Sequence, residues 1–402
     1  MSSTGIPPPT RLAAVQAVAA IRADDYATTR NHLTGAVTGL SPYLTHGVLT
    51  LAEVLAEILR QQPLAVNHKL VYEFGWREFF RHVWSHEGDG IFQSLHSGPM
   101  PDSSYSQELP PDIQQGTTGV PVIDEAVRSL HASGTLHNHA RMWLASYVVH
   151  MRHVHWRAGA DWLVAHLLDG DLASNHLSWQ WVAGTGSHKP YLFNADNVER
   201  FAPTQWHSPG SVVDQSYEAL DAIARGTRAA STQQRTALKV EDGASSADTP
   251  VLIMPPGDLE VGSVESISLD QVQGREVWLV HPWALRAAPA GLSQDAVVIG
   301  VYLRECHAAW PWSEARWRWV DAAMSEVTSL RCYSDATALA ASLRSAALVR
   351  TMANPHITRW LEPFVQLDPE PALFPRVERR CHSFSQWWTR ATRGYQQAGE
   401  LL

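Results

Sequence analysis

Residues 116–194 read GTTGVPVIDEAVRSLHASGTLHNHARMWLASYVVHMRHVHWRAGADWLVAHLLDGDLASNHLSWQWVAGTGSHKPYLFN. The first helical pattern, which Gly134 ends, places its apolar side chains on one face, at Val122, Ile123, Ala126, Val127 and Leu130. The segments that follow are bounded by glycines, and no strand-like alternation occurs before about Pro203. The sequence therefore predicts an all-α domain over residues 1–205.

The composition is that of an ordinary folded protein. Hydrophobic residues make up 45% and charged residues 18% of the 402 positions, a length that predicts two domains. The N-terminus has no basic segment before an apolar run, and no run of eighteen apolar residues occurs, so we expect a cytoplasmic protein. Cys306, Cys332 and Cys381 are too far apart for a zinc site or a disulfide framework, and we predict no metal site.

The net charge does not favour binding of nucleic acid over the whole surface. The chain carries 31 basic and 40 acidic residues, and residues 1–204 hold 13 basic and 18 acidic residues, a balance of 13 − 18 = −5. No field of the whole molecule draws nucleic acid to it, so any contact with DNA must be local. The 17 Trp and 20 His residues are groups that stack, carry electrons or titrate near neutral pH.

The composition changes after the helical part. Residues 224–250 are rich in Ala, Ser and Thr and have no apolar period, and we predict a linker over residues 206–250. Beyond it, β-rich runs at 277–282 and 295–303 alternate with helix-like segments. This alternation predicts a smaller, Rossmann-like α/β domain over residues 251–402.

Two polar motifs have an ordinary interpretation beside a functional one. Thr38 and Ser41 precede a helix, where they could cap it or let its N-terminal N–H groups hold a pyrophosphate. Asp169 and Asp171 flank a glycine, with Asn175 one helical turn later, and form either a solvated turn or a ligand site. The residues alone leave these alternatives open.

Three ordered motifs resemble the DNA photolyase/cryptochrome family. They are TGLSPYLTHGVLT at 38–50, VYEFGWREFFRH at 71–82 and the stretch at 116–194. The resemblance covers roughly residues 10–205 and implies an all-α FAD-binding domain of the cyclobutane pyrimidine dimer photolyase type. The family's antenna domain normally comes first, so the C-terminal α/β domain is either a permuted antenna domain or an unrelated one.

The resemblance implies the residues that bind non-covalent FAD. They are Tyr26, Thr38, Leu40, Ser41, Arg77, Asn138, Arg141, Asp169, Asp171 and Asn175. Asn175 would face the flavin N5, where a neutral amide can accept from a protonated nitrogen without adding charge. Arg141 pairs either with Asp169 or with water. Val37 stands where family members often carry a hydroxyl residue.

The resemblance also implies the residues of electron transfer. Trp179 and Trp156 match the inner pair of the family's tryptophan relay, although a buried tryptophan is most often a core residue. The surface member of the relay is not a tryptophan here, and Tyr105 or Trp162 could take its place. Asn175 and Glu73 complete the catalytic set.

A pyrimidine dimer flipped out of DNA would be held by a further set of side chains. The resemblance places there Glu73, Trp76, Asn138, His139, Met142 and Trp181. His139 stands where an arginine is usual, which removes a phosphate donor at neutral pH, or it is a surface helix residue.

Two functions follow as hypotheses. The first is a deoxyribodipyrimidine photo-lyase, a carbon–carbon lyase whose partner is damaged DNA. The alternative is a cryptochrome-like blue-light photoreceptor without repair activity, whose partner is a signalling protein. In either case the C-terminal tryptophans form a pocket for a second, unidentified antenna chromophore, or only a core.

Overall fold

The computed structural model describes residues 5–187, 189–229 and 250–402, and its first part is helical. The helices there are α1 (Arg11–Ala19), α2 (Ala23–Thr29), α3 (Ser41–Thr45), α4 (Leu51–Gln61), α5 (Lys69–Glu87), α6 (Pro111–Gln114), α7 (Pro121–Ser133), α8 (Asn138–Ser146), α9 (Trp156–His166), α10 (Leu172–Ala183), α11 (Ala195–Phe201) and α12 (Tyr217–Ala224). A π-helical turn, Tyr147–Met151, follows α8. None of the described helices is long and apolar enough to span a bilayer.

Local signals explain where these helices begin and end. Thr50 and Glu53 form a reciprocal capping box at the start of α4. Helix α7 ends at Gly134, whose φ of 63° lies in the left-handed region that favours glycine. The predicted apolar face of α7 is buried.

The C-terminal part contains a parallel sheet. Its strands and helices, with one small additional ribbon, are β1 (Val251–Leu252), β2 (Gly262–Ser263), α13 (Leu269–Val272), β3 (Glu276–Val280), β4 (Val297–Leu303), α14 (Arg304–Ala309), β5 (Trp312–Ser313), α15 (Glu314–Ser325), β6 (Arg331–Ser334), α16 (Ala336–Ser342), β7 (Leu348–Met352), α17 (Thr358–Leu361), β8 (Gln366–Asp368) and α18 (Phe384–Ala391). The ribbon is the antiparallel pair β1 and β5.

The strand order identifies a doubly wound sheet. The six parallel strands follow the order β2-β6-β4-β3-β7-β8, and Val277 in β3 lies opposite Val297 in β4 and Val349 in β7. The chain first builds outward from β3 through β4 and β6, then returns to the other side of β3 with β7. The switch point therefore lies between β3 and β7, where such sheets open a crevice at their carboxyl edge.

The hydrophobic cores do not follow the predicted domain boundaries. One core joins buried residues of α1, α4 and α5 to strands β3, β4, β6 and β7 of the parallel sheet, and a second core surrounds α7 to α12. Trp206, Val213 and Leu220, which we predicted to lie in a linker, are buried in the second core. The linker prediction is thus too long at its N-terminal end, and its residues 230–249 lie outside the described residues.

Candidate functional site

Helix α5 carries one row of charged residues of the candidate site. Glu73, Arg77 and Arg81 follow one another at four-residue spacing and so share a helical face. Arg30 Nε lies 3.4 Å from Glu73 Oε1, and Arg77 Nη2 donates to Thr45 Oγ1 over 3.2 Å. Sequence reasoning missed Arg81, although its spacing from Arg77 would have placed it on this face.

Helix α8 carries a second group of polar residues of the candidate site. Arg141 Nη2 donates to both carboxylate oxygens of Asp169, over 2.9 and 2.8 Å, so of the two alternatives its partner is Asp169 and not water. Asn138 is exposed at the start of the helix, and its Nδ2 lies 3.7 Å from Met142 Sδ. Residues at three- and four-residue spacing thus bring Asn138, Arg141 and Met142 to one side of α8.

The loop of Asp169, Gly170 and Asp171 pairs with both helices. Asp171 Oδ1 accepts from Ser174 N over 2.8 Å and so caps α10. Its Oδ2 lies 3.0 Å from Arg81 Nη2. Both carboxylates are buried and paired with arginines, which contradicts the alternative of a solvated surface turn.

The remaining predicted flavin residues lie in different surroundings. Tyr26 is partly buried, and burial together with Glu73 raises the pKa of its hydroxyl. Thr38 Oγ1 accepts from Leu40 N over 3.3 Å, so Thr38 stabilises the turn before α3. The Leu40 side chain is fully buried, whereas Ser41 is exposed at the first position of α3.

The donors and acceptors of the candidate site fit FAD. Asp171 Oδ2 is buried and lies 3.0 Å from Arg81 Nη2, so its charge is compensated. A carboxylate oxygen has a second lone pair, which can accept from a ribityl hydroxyl or a flavin N–H. Asn175 Nδ2 donates to Ala160 O over 2.8 Å, which leaves Oδ1 as the acceptor for a ligand. Arg77 and Arg141 supply positive charge beside these acceptors.

The two predicted relay tryptophans are buried on neighbouring helices, Trp156 on α9 and Trp179 on α10. A methyl group on Gly159 would meet the Trp179 ring at 2.4 Å, so this ring packs against α9 at a position three residues beyond Trp156. From Trp156, one row of rings runs through His155 to Tyr105, with centroid distances of 5.6 and 6.3 Å.

A second row of rings reaches the α/β part. It runs from Trp156 through His176 to Trp310, with centroid distances of 6.3 and 5.3 Å. The ring contacts described for Trp162 are with His131 and His166, which separates it from both rows.

Trp76 does not line an open lesion pocket. Its ring stacks on Phe384 of α18, with 4.1 Å between centroids and 13° between planes. A methyl group on Gly75 would meet the Trp388 ring at 2.5 Å, which shows how closely α18 approaches α5. The structure corrects the prediction that Trp76 stands ready to hold a dimer, because α18 covers that face of α5.

His139 is also more enclosed than predicted. Its ring stacks on Trp143 at 4.6 Å, and its Nδ1 lies 2.7 Å from Asn31 O. Burial lowers the pKa of this histidine, so it is neutral at neutral pH and is neither a phosphate donor nor a free surface residue. Trp181, by contrast, is 42% exposed and remains accessible to a ligand.

A separate cavity of about 440 Å³ lies between α5 and the carboxyl edge of the sheet. Its walls come from α5, from the loop before α4 and from the ends of β3, β7 and β8, and they include Arg77, Arg81, Trp283, Arg286, Met352 and Glu370. Of the ten predicted flavin residues, only Arg77 lines it. The cavity therefore lies at the switch point of the sheet, apart from most of the predicted flavin residues.

Part of this chain matches a known family. Residues 70–212 match the sequence family described as the FAD binding domain of DNA photolyase. This segment is a photolyase-type FAD-binding domain. The family predicted from the three motifs is thereby confirmed.

Individual relatives match this photolyase-type domain over part of their length. The deoxyribodipyrimidine photo-lyase of Escherichia coli is 31% identical over 200 residues, 44% of this chain and 42% of that protein. Cryptochrome DASH of Synechocystis sp. is 32% identical over 176 residues, 41% and 35% of the two chains. A crystal structure of Synechocystis sp. cryptochrome aligns with a TM-score of 0.43 and 28% identity, covering 48% and 43% of the chains. The chain spans less than half the length of these relatives.

Proposed function

We propose that this chain binds FAD non-covalently at the candidate site between α5 and α8 and uses it for blue-light-driven electron transfer, with repair of cyclobutane pyrimidine dimers as its reaction. The observation that carries the proposal is the enclosure of two buried carboxylates, Asp169 and Asp171, by the guanidinium groups of Arg141 and Arg81. The chemistry that bound, reduced FAD supplies under light is donation of one electron to the dimer and its recovery after the ring has split.

Three residues of the candidate site suit recognition of a base edge. Burial raises the pKa of Glu73, although Arg30 opposes the rise, and its carboxylate can accept from a base N–H. Exposed Asn138 offers both a donor and an acceptor, and exposed Trp181 offers a stacking surface. These groups support repair without a large basic surface.

The decisive experiment measures light-dependent loss of dimers from a defined oligonucleotide, at low and at physiological salt. Reduced, FAD-loaded protein should split dimers under blue light and leave them intact in the dark. If loaded protein neither binds nor splits a dimer even at low salt, repair is excluded.

A photoreceptor function is the second candidate, and the covered Trp76 favours it. The ring that would face a dimer is packed against α18, and His139 provides no phosphate contact. In this case light-driven reduction of the flavin would change the surface presented to a partner protein. Protein that takes up FAD and is photoreduced, yet fails the repair assay, would support this function.

We further propose that electrons enter through two parallel rows of rings, which end at Tyr105 and Trp310. Trp156→Phe should slow photoreduction by an external donor strongly, because both rows meet at Trp156. Tyr105→Phe and Trp310→Phe should each slow it in part, and the double variant should match Trp156→Phe.

Trp162→Phe is the matched control for this relay. It replaces a partly buried tryptophan that contacts neither row, so photoreduction should proceed at the wild-type rate. A slow Trp162→Phe variant beside a normal Trp156→Phe variant would contradict both proposed rows.

The cavity at the switch point is the place we propose for a second chromophore. Trp283 lines it, and the buried Trp283 Nε1 has no hydrogen-bond partner among the described residues. A planar pigment with an acceptor group would satisfy this nitrogen. Met352→Trp, which fills the cavity, should remove any absorption band that does not belong to FAD while sparing bound FAD. Retention of such a band would place the pigment elsewhere.

A further inference from the structure

Two side chains of the α/β part bind the backbone at and beside the loop of Asp169, Gly170 and Asp171, the flavin loop. Arg316 of α15 is 1% exposed, and its Nη1 and Nη2 donate to Val164 O and Gly170 O over 2.7 and 2.6 Å. His356, which follows β7, accepts from Leu172 N at its Nε2 over 3.1 Å. The backbone on both sides of Asp171 is therefore bound to a separate part of the fold.

These contacts are tight and directional. A methyl group on Gly170 would meet Arg316 Nη1 at 2.4 Å, so residue 170 must be a glycine for the guanidinium to reach the loop. The guanidinium carbon lies 4.3 Å from the Trp312 ring centroid. The Nδ1 of His356 lies 2.8 Å from Asn354 Oδ1, so Nδ1 carries the proton and Nε2 is free to accept. His356 thus adds a cap to the N-terminus of α10.

Burial of the Arg316 guanidinium costs free energy, and packing of the two parts against each other does not by itself require a buried arginine. Burial lowers the pKa of its guanidinium to about 9, against the opposing influence of Asp169, and its Nε has no partner among the described residues. Apolar contacts already join the sheet to α1, α4 and α5. Because a buried cation is costly even with hydrogen bonds, its bond to Gly170 O in the loop and its bond to Val164 O in α9 point to a specific task.

We propose that Arg316 and His356 are positioning residues of the flavin site, which hold the loop of Asp169, Gly170 and Asp171 so that both carboxylates face the cofactor. The inference rests on the proposed binding of FAD at that site. It makes the α/β part a component of the flavin site. By linkage, bound FAD and the contact between the two parts then stabilise each other.

The test uses the full chain and compares Arg316→Met with Arg318→Met. Arg318 lies on the same helix but is exposed, and it pairs with Asp258 and Glu314 at the surface. Arg316→Met should weaken the affinity for FAD by about tenfold, the loss that follows when a hydrogen bond from a charged group is removed. It should also shift the flavin reduction potential, whereas Arg318→Met should change neither quantity. Arg316→Lys, which keeps one charged donor, should restore part of the affinity.

A second variant and a measurement on the wild type keep the proposal testable if Arg316→Met does not fold. His356→Phe keeps the stacking on Trp283 but removes the acceptor for Leu172 N, and it should weaken FAD binding in the same direction. In the wild type, FAD should slow amide exchange in residues 312–320 and 354–358.

The outcomes distinguish the proposed binding of FAD from the proposed positioning role of Arg316 and His356. Wild-type protein that does not take up FAD would contradict the proposed function itself. Wild-type protein that binds FAD, with unchanged affinity and potential in folded Arg316→Met and His356→Phe, would overturn the positioning role. If neither variant folds, unchanged amide exchange in the wild type on adding FAD would overturn it.

Discussion

Replacing Asp171 with alanine should abolish FAD retention and lower the free energy of unfolding by about 3–5 kcal/mol, the cost of breaking a buried ion pair. The carboxylate is 3% exposed and lies 3.0 Å from Arg81, and its loss would leave that guanidinium without a buried partner. The variant would also lose the cap on Ser174 N. FAD content after gel filtration and urea denaturation of the apoprotein measure the two effects separately.

Two further variants refine this prediction. Asp171→Asn keeps an acceptor for the cap but removes the charge, so its stability should fall between the wild type and Asp171→Ala. Asp221→Ala breaks an exposed pair with Arg225 and should cost less than about 1 kcal/mol. A folded Asp171→Ala variant that retains full FAD would show that the loop does not bind the cofactor.

The same carboxylate predicts a dependence of stability on pH. Burial alone would raise the pKa of Asp171, but the charges of Arg81 and Arg77 outweigh it and hold the pKa well below the usual range. Stability from this group is therefore present above the unfolded pKa of about 4 and is lost as pH falls below it. The wild type should lose more stability on acidification than Asp171→Ala does.

Trp76→Ala should destabilise the protein by about 3–5 kcal/mol, whereas Trp181→Ala should change stability by about 0.5 kcal/mol or less. Trp76 is packed among Phe79, Phe80 and Phe384, so its removal would leave a cavity between α5 and α18. Trp181 is 42% exposed, and its nearest ring partner is Tyr191 at 5.7 Å. Urea denaturation midpoints compare the two variants directly.

For binding of a dimer-containing oligonucleotide, the change at Trp181 should have the larger effect and the change at Trp76 the smaller one. Trp181→Ala should lose about 1–3 kcal/mol of stacking energy if the protein repairs DNA. Trp76→Phe, which keeps an aromatic ring against Phe384, should bind the oligonucleotide as the wild type does. A loss of dimer binding in Trp76→Phe would instead mean that α18 moves away to expose Trp76.

Within the helical part, local patterns predicted much of the fold and of the site. The apolar spacing and Gly134 determine α7, and the spacing of Glu73 and Arg77 places both on one face of α5. The motif around Asp169 and Asp171 predicted a loop with two carboxylates, and Asp169 was one of the two partners predicted for Arg141. Such features depend on residues close in sequence or on a motif that the chain shares with its relatives.

Contacts between distant segments could not be predicted in this way. Arg316 reaches Gly170, and Phe384 covers Trp76, because docking of the α/β part brings together residues far apart in the chain. No local periodicity encodes such pairs, and an arginine in an amphipathic helix usually faces solvent. The amino-acid sequence by itself thus determined the helices and the two carboxylates of the proposed flavin site. Only the tertiary structure decided that Arg316 supports the loop around Gly170 and that Trp76 is covered while Trp181 stays exposed. Both outcomes depend on how the surface of the helical part packs against that of the α/β part.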